Sequence, residues 1–421
     1  MKKDLIVVGG GFAGCAAALA AARQGISVLL VEQGGSLGGA AVNSLVNPFM
    51  PYTTVVEEDG KRKKINLSAG IFMEILDRLQ EIGGLDSNRA TFHEEYLKLL
   101  LDRMMKEAGV TVAYHCTLSG VEKENDMLKS ITVTSKAGLI RLEANYFIDS
   151  TGDADLAVMS GCPTHLGRPQ DNLCQPMTLC FRVGNIDKEK FFDARPEMQK
   201  KYKQFQAEGK IKNPRENILV FDTMVDGMLH FNTTRIIKLN PVDPFDVSRA
   251  EMEAREQMFE VFYFMKEHAG GFENAQLLFS AAQIGTRESR MIDGKYLLTQ
   301  EDLKNCTRFD DAIAAGNYDI DIHNPEGTGT SHYYFPEGEY YTLPYRSLLP
   351  NGADNLLVAG RCISSTHEAQ ASYRVMPIVC CLGEAAGVGA AVACKASCKP
   401  EEADIKEIQK ILVENNAFIG L

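Results

Sequence analysis

The stretch from Asp4 to Gln33 constrains the fold of this 421-residue chain more than any other. Leu5-Ile6-Val7-Val8 is a short continuous apolar run, as a strand buried on both faces requires. It meets Gly9-x-Gly11-x-x-Gly14 and then an Ala-rich helix, Cys15 to Gln24. Gly25 ends that helix, and Ser27 to Val31 forms a second buried strand closed by Glu32, 18 residues after Gly14. Strand, glycines, helix, strand and terminal acid together define a βαβ unit that binds a dinucleotide. Gly9 permits the tight turn, Gly11 lets backbone approach a pyrophosphate, and Gly14 lets helix and strand pack closely. The diphosphate then sits on the free N–H groups of the helix start. Glu32 accepts hydrogen bonds from ribose hydroxyls, and its charge repels a 2′-phosphate. The tract Gly34-Gly35-Ser36-Leu37-Gly38-Gly39 is too glycine-rich for an ordinary loop. It implies backbone passing close to an extended cofactor beyond its adenosine half.

Further along, the patterning predicts helices over about Ser68–Ile82 and Glu94–Glu107. Strand signals at Val110–His115, Val121–Lys123, Ser130–Ser135 and Leu139–Glu143 are spaced like a small antiparallel meander. Tyr146 to Asp149 reads as a buried strand running into Ser150-Thr151-Gly152-Asp153, and Asn355 to Ala359 as another ending in Gly360-Arg361. A long small-residue helix, about Pro377–Ala396, follows. From about Cys162 to Pro344 aromatic and charged residues increase, with a helix over about Val247–His268. The organisation expected is a discontinuous nucleotide domain (1–45, 91–160 and 346–421), a helical insertion (46–90) and an α+β substrate or cap domain (161–345).

A net charge of −12 without long single-sign blocks argues against a nucleic-acid partner. No uninterrupted apolar run reaches the roughly 18 residues of a membrane span. Lys2, Lys3 and the apolar start superficially resemble a secretory leader, but Asp4 and the glycines fit strand–turn–helix better. Eleven cysteines without a CxxC pair or four-cysteine cluster fit reduced structural thiols in a cytoplasmic protein, with neither a metal nor an internal iron–sulfur centre.

Val7 to Gly14, Ile148 to Asp153 and Leu357 to Arg361 occur in flavoprotein order. Together they resemble FAD-dependent oxidoreductases with a glutathione-reductase-type nucleotide domain. More narrowly, Gln283 to Arg290 and Gly360 to Gly387 resemble the bacterial FAD-dependent oxidoreductase family. That family is distantly similar to fumarate reductase flavoprotein subunits and heterodisulfide reductase flavin subunits. The likeness covers essentially the whole chain. It implies an α/β fold with a Rossmann-like FAD domain, a central β sheet and a small meander. It implies that Gly9, Gly11, Ala13 and Gly14 hold the pyrophosphate, Glu32 the ribose, and that Gly38, Gly39 and Ala40 face ribityl and flavin. Leu118 would offer its backbone to adenine. Thr151, Gly152 and Asp153 would close over the dinucleotide, Gly360 and Arg361 would lie near phosphates and ribityl, and Val375 and Met376 would approach the pyrimidine ring. The sequence lacks the catalytic context of the fumarate reductases, which sets succinate and fumarate chemistry aside.

Hydride transfer at a flavin needs a dry face, positive potential near the reduced ring, and a proton donor or acceptor within reach. The start of the final helix and Arg374 supply positive potential. His367 is the favoured proton carrier, with His332, beside Tyr333 and Tyr334, as second candidate. In Arg287-Glu288-Ser289-Arg290 a strand-like alternation would put Arg287 and Ser289 on one side and Glu288 and Arg290 on the other, with Arg287 gripping a carboxylate or hydroxyl-rich substrate. Asn232 to Arg235 is a further polar candidate. The expectation is non-covalent FAD and hydride transfer between flavin N5 and a small polar organic substrate. The alternative is an electron-transfer subunit working with an iron–sulfur redox partner protein.

Overall fold

A computed structural model describes every residue except Met1 and Asp59. Its spine is a parallel sheet with strands in the order Thr111–Ala113, Val28–Val31, Lys2–Val8, the second half of Gly138–Asp149, and Leu356–Val358. Val8 pairs with both Val31 and Asp149, and Asp149 pairs with Val358. The carboxyl ends of four strands therefore stop in one row.

The inner strands are apolar on both faces where both are covered. Leu5, Val7, Val28, Leu30, Ile148 and Leu357 join the core beneath the helices. Their alternating neighbours Ile6, Val8, Leu29, Val31, Phe147 and Val358 join a second core with Leu128, Ile131 and Val133 of the meander.

Three sequence expectations change here. Val110–His115 does not belong to the meander; Thr111–Ala113 is the outer parallel strand beside Val28–Val31. Leu139–Glu143 and Tyr146–Asp149 are one 12-residue strand. Its first half pairs antiparallel with Met127–Ser135, its second half parallel with Lys2–Val8. A change from exposed to continuously buried residues marks the handover, and the sequence pattern there looks like a break. The segment expected to be helical over 46–90 also carries a hairpin, Thr53–Glu58 with Lys61–Asn66, before its helix Ile71–Glu81. The basic run Lys61–Lys64 lies exposed on that hairpin.

The first helix, Phe12–Arg23, and the final long helix, Met376–Ala396, touch backbone to backbone. A Cβ on Gly383 would overlap the carbonyl oxygen of Ala13, and one on Gly387 that of Ala17. The final helix is long and apolar enough to cross a membrane, contrary to the expectation from uninterrupted runs. Almost all of it is buried within the protein, between the first helix and residues such as Ile313, Tyr341 and Tyr345.

Residues 181–184, 220–222, 229–231 and 276–280 form a separate four-stranded antiparallel sheet. Phe181, Val183, Leu229 and Phe231 pack on the helices Lys188–Ala207 and Pro244–His268. The alternate residues Arg182 and His230 are equally buried on the other face. Arg182 makes an ion pair with Glu94 of the nucleotide-binding unit. All eleven cysteines are unpaired thiols.

Two outcomes follow. Gly383→Ala gains about 1 kcal/mol of helix propensity but overpacks against main chain by about 3 kcal/mol, and a net loss of about 2 kcal/mol in urea melts is expected. Glu384, on the same helix, accepts from the Ile71 N–H at 2.9 Å, and burial pushes its carboxyl up to about 7. Between pH 4.5 and 7 the unfolded chain releases this proton while the folded chain keeps it, so stability falls as pH rises. Glu384→Gln removes that slope. Relative to wild type its stability should rise by roughly 3 kcal/mol from pH 4.5 to 8, as read from urea melts at both pH values.

Candidate active site

Four loops leave the aligned strand ends together: Gly9–Gly14, Glu32–Gly39, Ser150–Asp153 and Gly360–Arg361. The carboxyl edge of an open parallel sheet is where such folds bind ligands. The three glycines of the first loop differ in what surrounds them. A Cβ on Gly9, whose φ is +100°, would collide with the main chain of Ser150, and one on Gly14 with the Gly9 carbonyl. Gly11 instead opens on space, its nearest neighbour being the Gly39 Cα, 3.9 Å from where a Cβ would stand. Gly9 and Gly14 are therefore packing glycines, whereas Gly11 and Gly39 face each other as bare backbone.

The first helix has Gly11 as its N-cap, with no side-chain cap and no acid in its first turn. Its leading N–H groups are left for an anion. The final helix begins likewise after Val375, with Met376 and Pro377 in its first turn and no capping side chain. Arg361 donates to the Asp153 carboxylate at 2.6 Å, while its Nε and the neighbouring Ser150 hydroxyl are buried without partners. Glu32 accepts from the N–H groups of Gly10 and Gly34, both at 2.6 Å, which fixes its carboxylate at the loop. Thr151 is occupied locally: its hydroxyl donates to Asp149 and accepts from the Asp155 N–H. Gly152, with φ +83°, packs against the Arg361 guanidinium. Gly38 and Gly39 are also at positive φ and lead into the turn of helix Ala40–Asn43. Gly360, at φ +112°, lies over Ala13. Leu118 sits beside a bulge opposite Val133, two residues beyond Cys116, whose N–H bonds the Glu32 carbonyl. Bare backbone, two uncapped helix starts and unpartnered buried donors are what a dinucleotide diphosphate requires, so the residues fit FAD.

A sequence model of the family described as FAD dependent oxidoreductase matches residues 4–412. The chain belongs to this family. It is a flavoenzyme, and FAD is its cofactor. Local likenesses accompany the match. Dihydrolipoamide dehydrogenase of Chaetomium thermophilum is 32% identical over 94 residues, 20% of this chain and 18% of that protein. 3-Oxosteroid 1-dehydrogenase of Mycolicibacterium smegmatis is 40% identical over 57 residues, 14% of this chain and 10% of that protein. The chain thus spans under one fifth of the length of either relative. Among solved structures, a geranylgeranyl bacteriochlorophyll reductase-like protein from Thermoplasma acidophilum aligns over 98% of this chain and 83% of its own, at 12% identity and TM-score 0.47. The p-nitrophenol 4-monooxygenase of Pseudomonas putida aligns over 98% and 85%, at 12% identity and TM-score 0.46.

Beyond this strand edge lies a buried cluster of polar side chains. Arg374 ends the short helix His367–Tyr373 and immediately precedes Val375. From the other side, Gln283 N–H bonds the Asn43 carbonyl, bringing the 283–287 segment against the residues after Ala40. Arg287 and Arg374 thereby meet. Arg287 donates to the Pro176 carbonyl at 2.7 Å and the Thr178 hydroxyl at 2.5 Å, and reaches Asn232 at 3.3 Å. Burial, then the charges of Arg374 and Arg215, bring its guanidinium down to about 9. Opposite lies Asp321, whose Oδ2 accepts from Tyr318 at 3.0 Å and stands 3.2 Å from His323 and 3.7 Å from Arg374. Burial works to raise the Asp321 carboxyl, but the bond to His323 and the charges of His323, Arg374 and Arg287 hold it far below the usual range. His323 is pushed down by burial and by Arg287.

Other candidates take different places. His367 is buried with Nδ1 on Glu288 at 2.7 Å, and the second Glu288 oxygen accepts from the Gln175 N–H. It is tied through Glu288 to Gln175 and is not among the groups around Asp321. The alternation expected for 287–290 does not hold, because only an isolated bridge at Gly285 and the strand from Arg290 are paired. Ser289 and Arg290 both turn to Asp153, and Arg290 also pairs with Asp155. Of Asn232 to Arg235, only Asn232 reaches Arg287; Thr234 ties down Leu179, and Arg235 pairs with Glu216. Asp321 and His323 were missed by the sequence reading, although Asp319-Ile320-Asp321-Ile322-His323 alternates strictly.

The two classes of glycine separate in experiment. Gly11→Ala should keep the melting temperature of the apoprotein within a few degrees while raising the FAD Kd at least tenfold by fluorescence titration. Gly14→Ala should lower the melting temperature of the apoprotein itself, because its methyl meets main chain.

Proposed function

We propose that this oxidoreductase transfers a hydride between FAD and a small organic anion held by Arg287 and Arg374. The observation that carries the reading is a surplus of buried positive charge. Arg287 and Arg374 have Asp321 as the carboxylate between them, while Arg215, whose charge also reaches Arg287, faces Glu216. The Nε groups of Arg215 and Arg374 are buried without partners. Unpaired buried donors of this kind cost free energy until an anion satisfies them. A carboxylate accepted by the two guanidiniums would be oriented as well as bound.

Bound FAD supplies the two-electron acceptor or donor. The chain's own residues do the rest. Arg374, joined directly to Val375, keeps the substrate's charged end near the start of the final helix. Tyr318, Asp321 and His323 offer partners for a hydroxyl or amine next to the transferred hydrogen. Gln175 and Gln370 brace the cluster, the former facing Arg374 and the latter bonding the Arg287 carbonyl. The positive field there also favours negative charge on a reduced ring.

An anaerobic panel of small organic acids and neutral analogues tests the reading by flavin bleaching. Acids should reduce the flavin and their amides or esters should not. Arg287→Met and Arg374→Met should each raise KM at least tenfold, about 1.4 kcal/mol or more, with FAD affinity unchanged. Equal reduction by neutral analogues would reject the anion site.

A further inference from the structure

The hairpin that carries Asp321 has a second use for that carboxylate. Strands Ile320–His323 and Thr330–Tyr333 pair with Asp321 directly opposite His332, so both side chains share a face. Asp319, two residues before Asp321, falls on the same face. The His332 Nδ1 lies 2.5 Å from Asp319 Oδ2 and 3.7 Å from Asp321 Oδ1. The three donor atoms are within 4.8 Å of one another.

Their hydrogen bonding does not close. One imidazole nitrogen offers at most one proton, and Asp319 takes it. Asp321 is only 7% exposed, and its Oδ1 is buried without a partner. Tyr318, His323 and Arg374 all serve the other oxygen, Oδ2. A buried carboxylate oxygen thus points, unpaired, at a second carboxylate across a histidine. The imidazole is held in place by stacking on Tyr334, with centroids 5.3 Å apart and planes 5° from parallel.

We propose that Asp319, Asp321 and His332 bind one divalent transition-metal ion. One nitrogen and two carboxylate oxygens suit Zn2+ or Mn2+, whereas Mg2+ and Ca2+ favour all-oxygen sets. A tetrahedral ion with bonds near 2.1 Å places its donors about 3.4 Å apart, within reach of small side-chain adjustments here. His332 is partly exposed, so a remaining position stays open to water or an incoming ligand. The ion would satisfy Oδ1 and fix Asp321, which faces Arg374 through its other oxygen. The site stands on the hairpin geometry and does not depend on the substrate assigned above.

The test uses the FAD-loaded enzyme, stripped with a chelator, desalted and titrated with ZnCl2 by calorimetry. A parallel titration with CoCl2 is followed by visible absorption. One ion per chain is expected, together with cobalt d–d bands. His332→Ala and Asp319→Asn should each weaken Zn2+ binding at least tenfold and abolish the bands, with the flavin spectrum and circular dichroism retained. Should either variant lose its flavin, the other is read in its place. No uptake by the wild type, or uptake unchanged in both variants, would overturn the proposal. Metal uptake is read without substrate, so its failure is distinct from failure of the anion reading.

Discussion

The main-chain contact between the first and last long helices is the constraint on which the rest of the molecule depends. Ala13 and Ala17 present carbonyls to Gly383 and Gly387, leaving no room for a methyl group between them. The same helix presses its other side against Gly9 through Gly14. Three layers of backbone are thereby stacked with almost no side chain in between. This closeness sets two helix starts side by side at the edge where four strands end. Their dipoles add where the cofactor's phosphates and ring are expected.

Electrostatics then divides the interior. At the sheet edge, acids and donors are matched: Glu32 with two N–H groups, Asp153 with Arg361 and Ser289. In the polar cluster beyond, Arg287 and Arg374 share Asp321, and the charges of Arg374 and Arg215 depress the Arg287 guanidinium. Protein interiors rarely carry such an imbalance without a ligand to relieve it. The contrast separates an edge completed by main chain from an interior of partly unpaired guanidiniums.

The nucleotide edge was legible in the sequence because its signals are local. Strand, glycines, helix and acid fall within one short stretch, and each residue type has one physical job there. The return strands at Tyr146 and Asn355 were legible for the same reason, through continuous apolar runs ending in polar turns. The polar cluster was legible only in part. Arg287 stood out through its charged, alternating segment and Arg374 through its place just before the final helix, but their meeting depends on contacts among Gln175, Asn232, Asp321 and the segment after Ala40, which no local period encodes. Asp321 and His323 lie on a strand of only four residues, too short for alternation to stand out from chance. His367 carried a persuasive neighbourhood in sequence, yet Glu288, distant in the chain, occupies its Nδ1 in space.

The long strand Gly138–Asp149 and its late partner Leu356–Val358 also bear on how the molecule comes into being. The N-terminal strand meets Asp149 early in synthesis, but Val358, some 350 positions after Val8, completes the sheet only near the end. At roughly 5–20 residues per second, the interval on the ribosome is roughly 20–70 s. Throughout it the alanine face of the first helix has no final helix to cover it. The nascent chain therefore carries an apolar, alanine-lined surface that stays bare until its own last quarter is made.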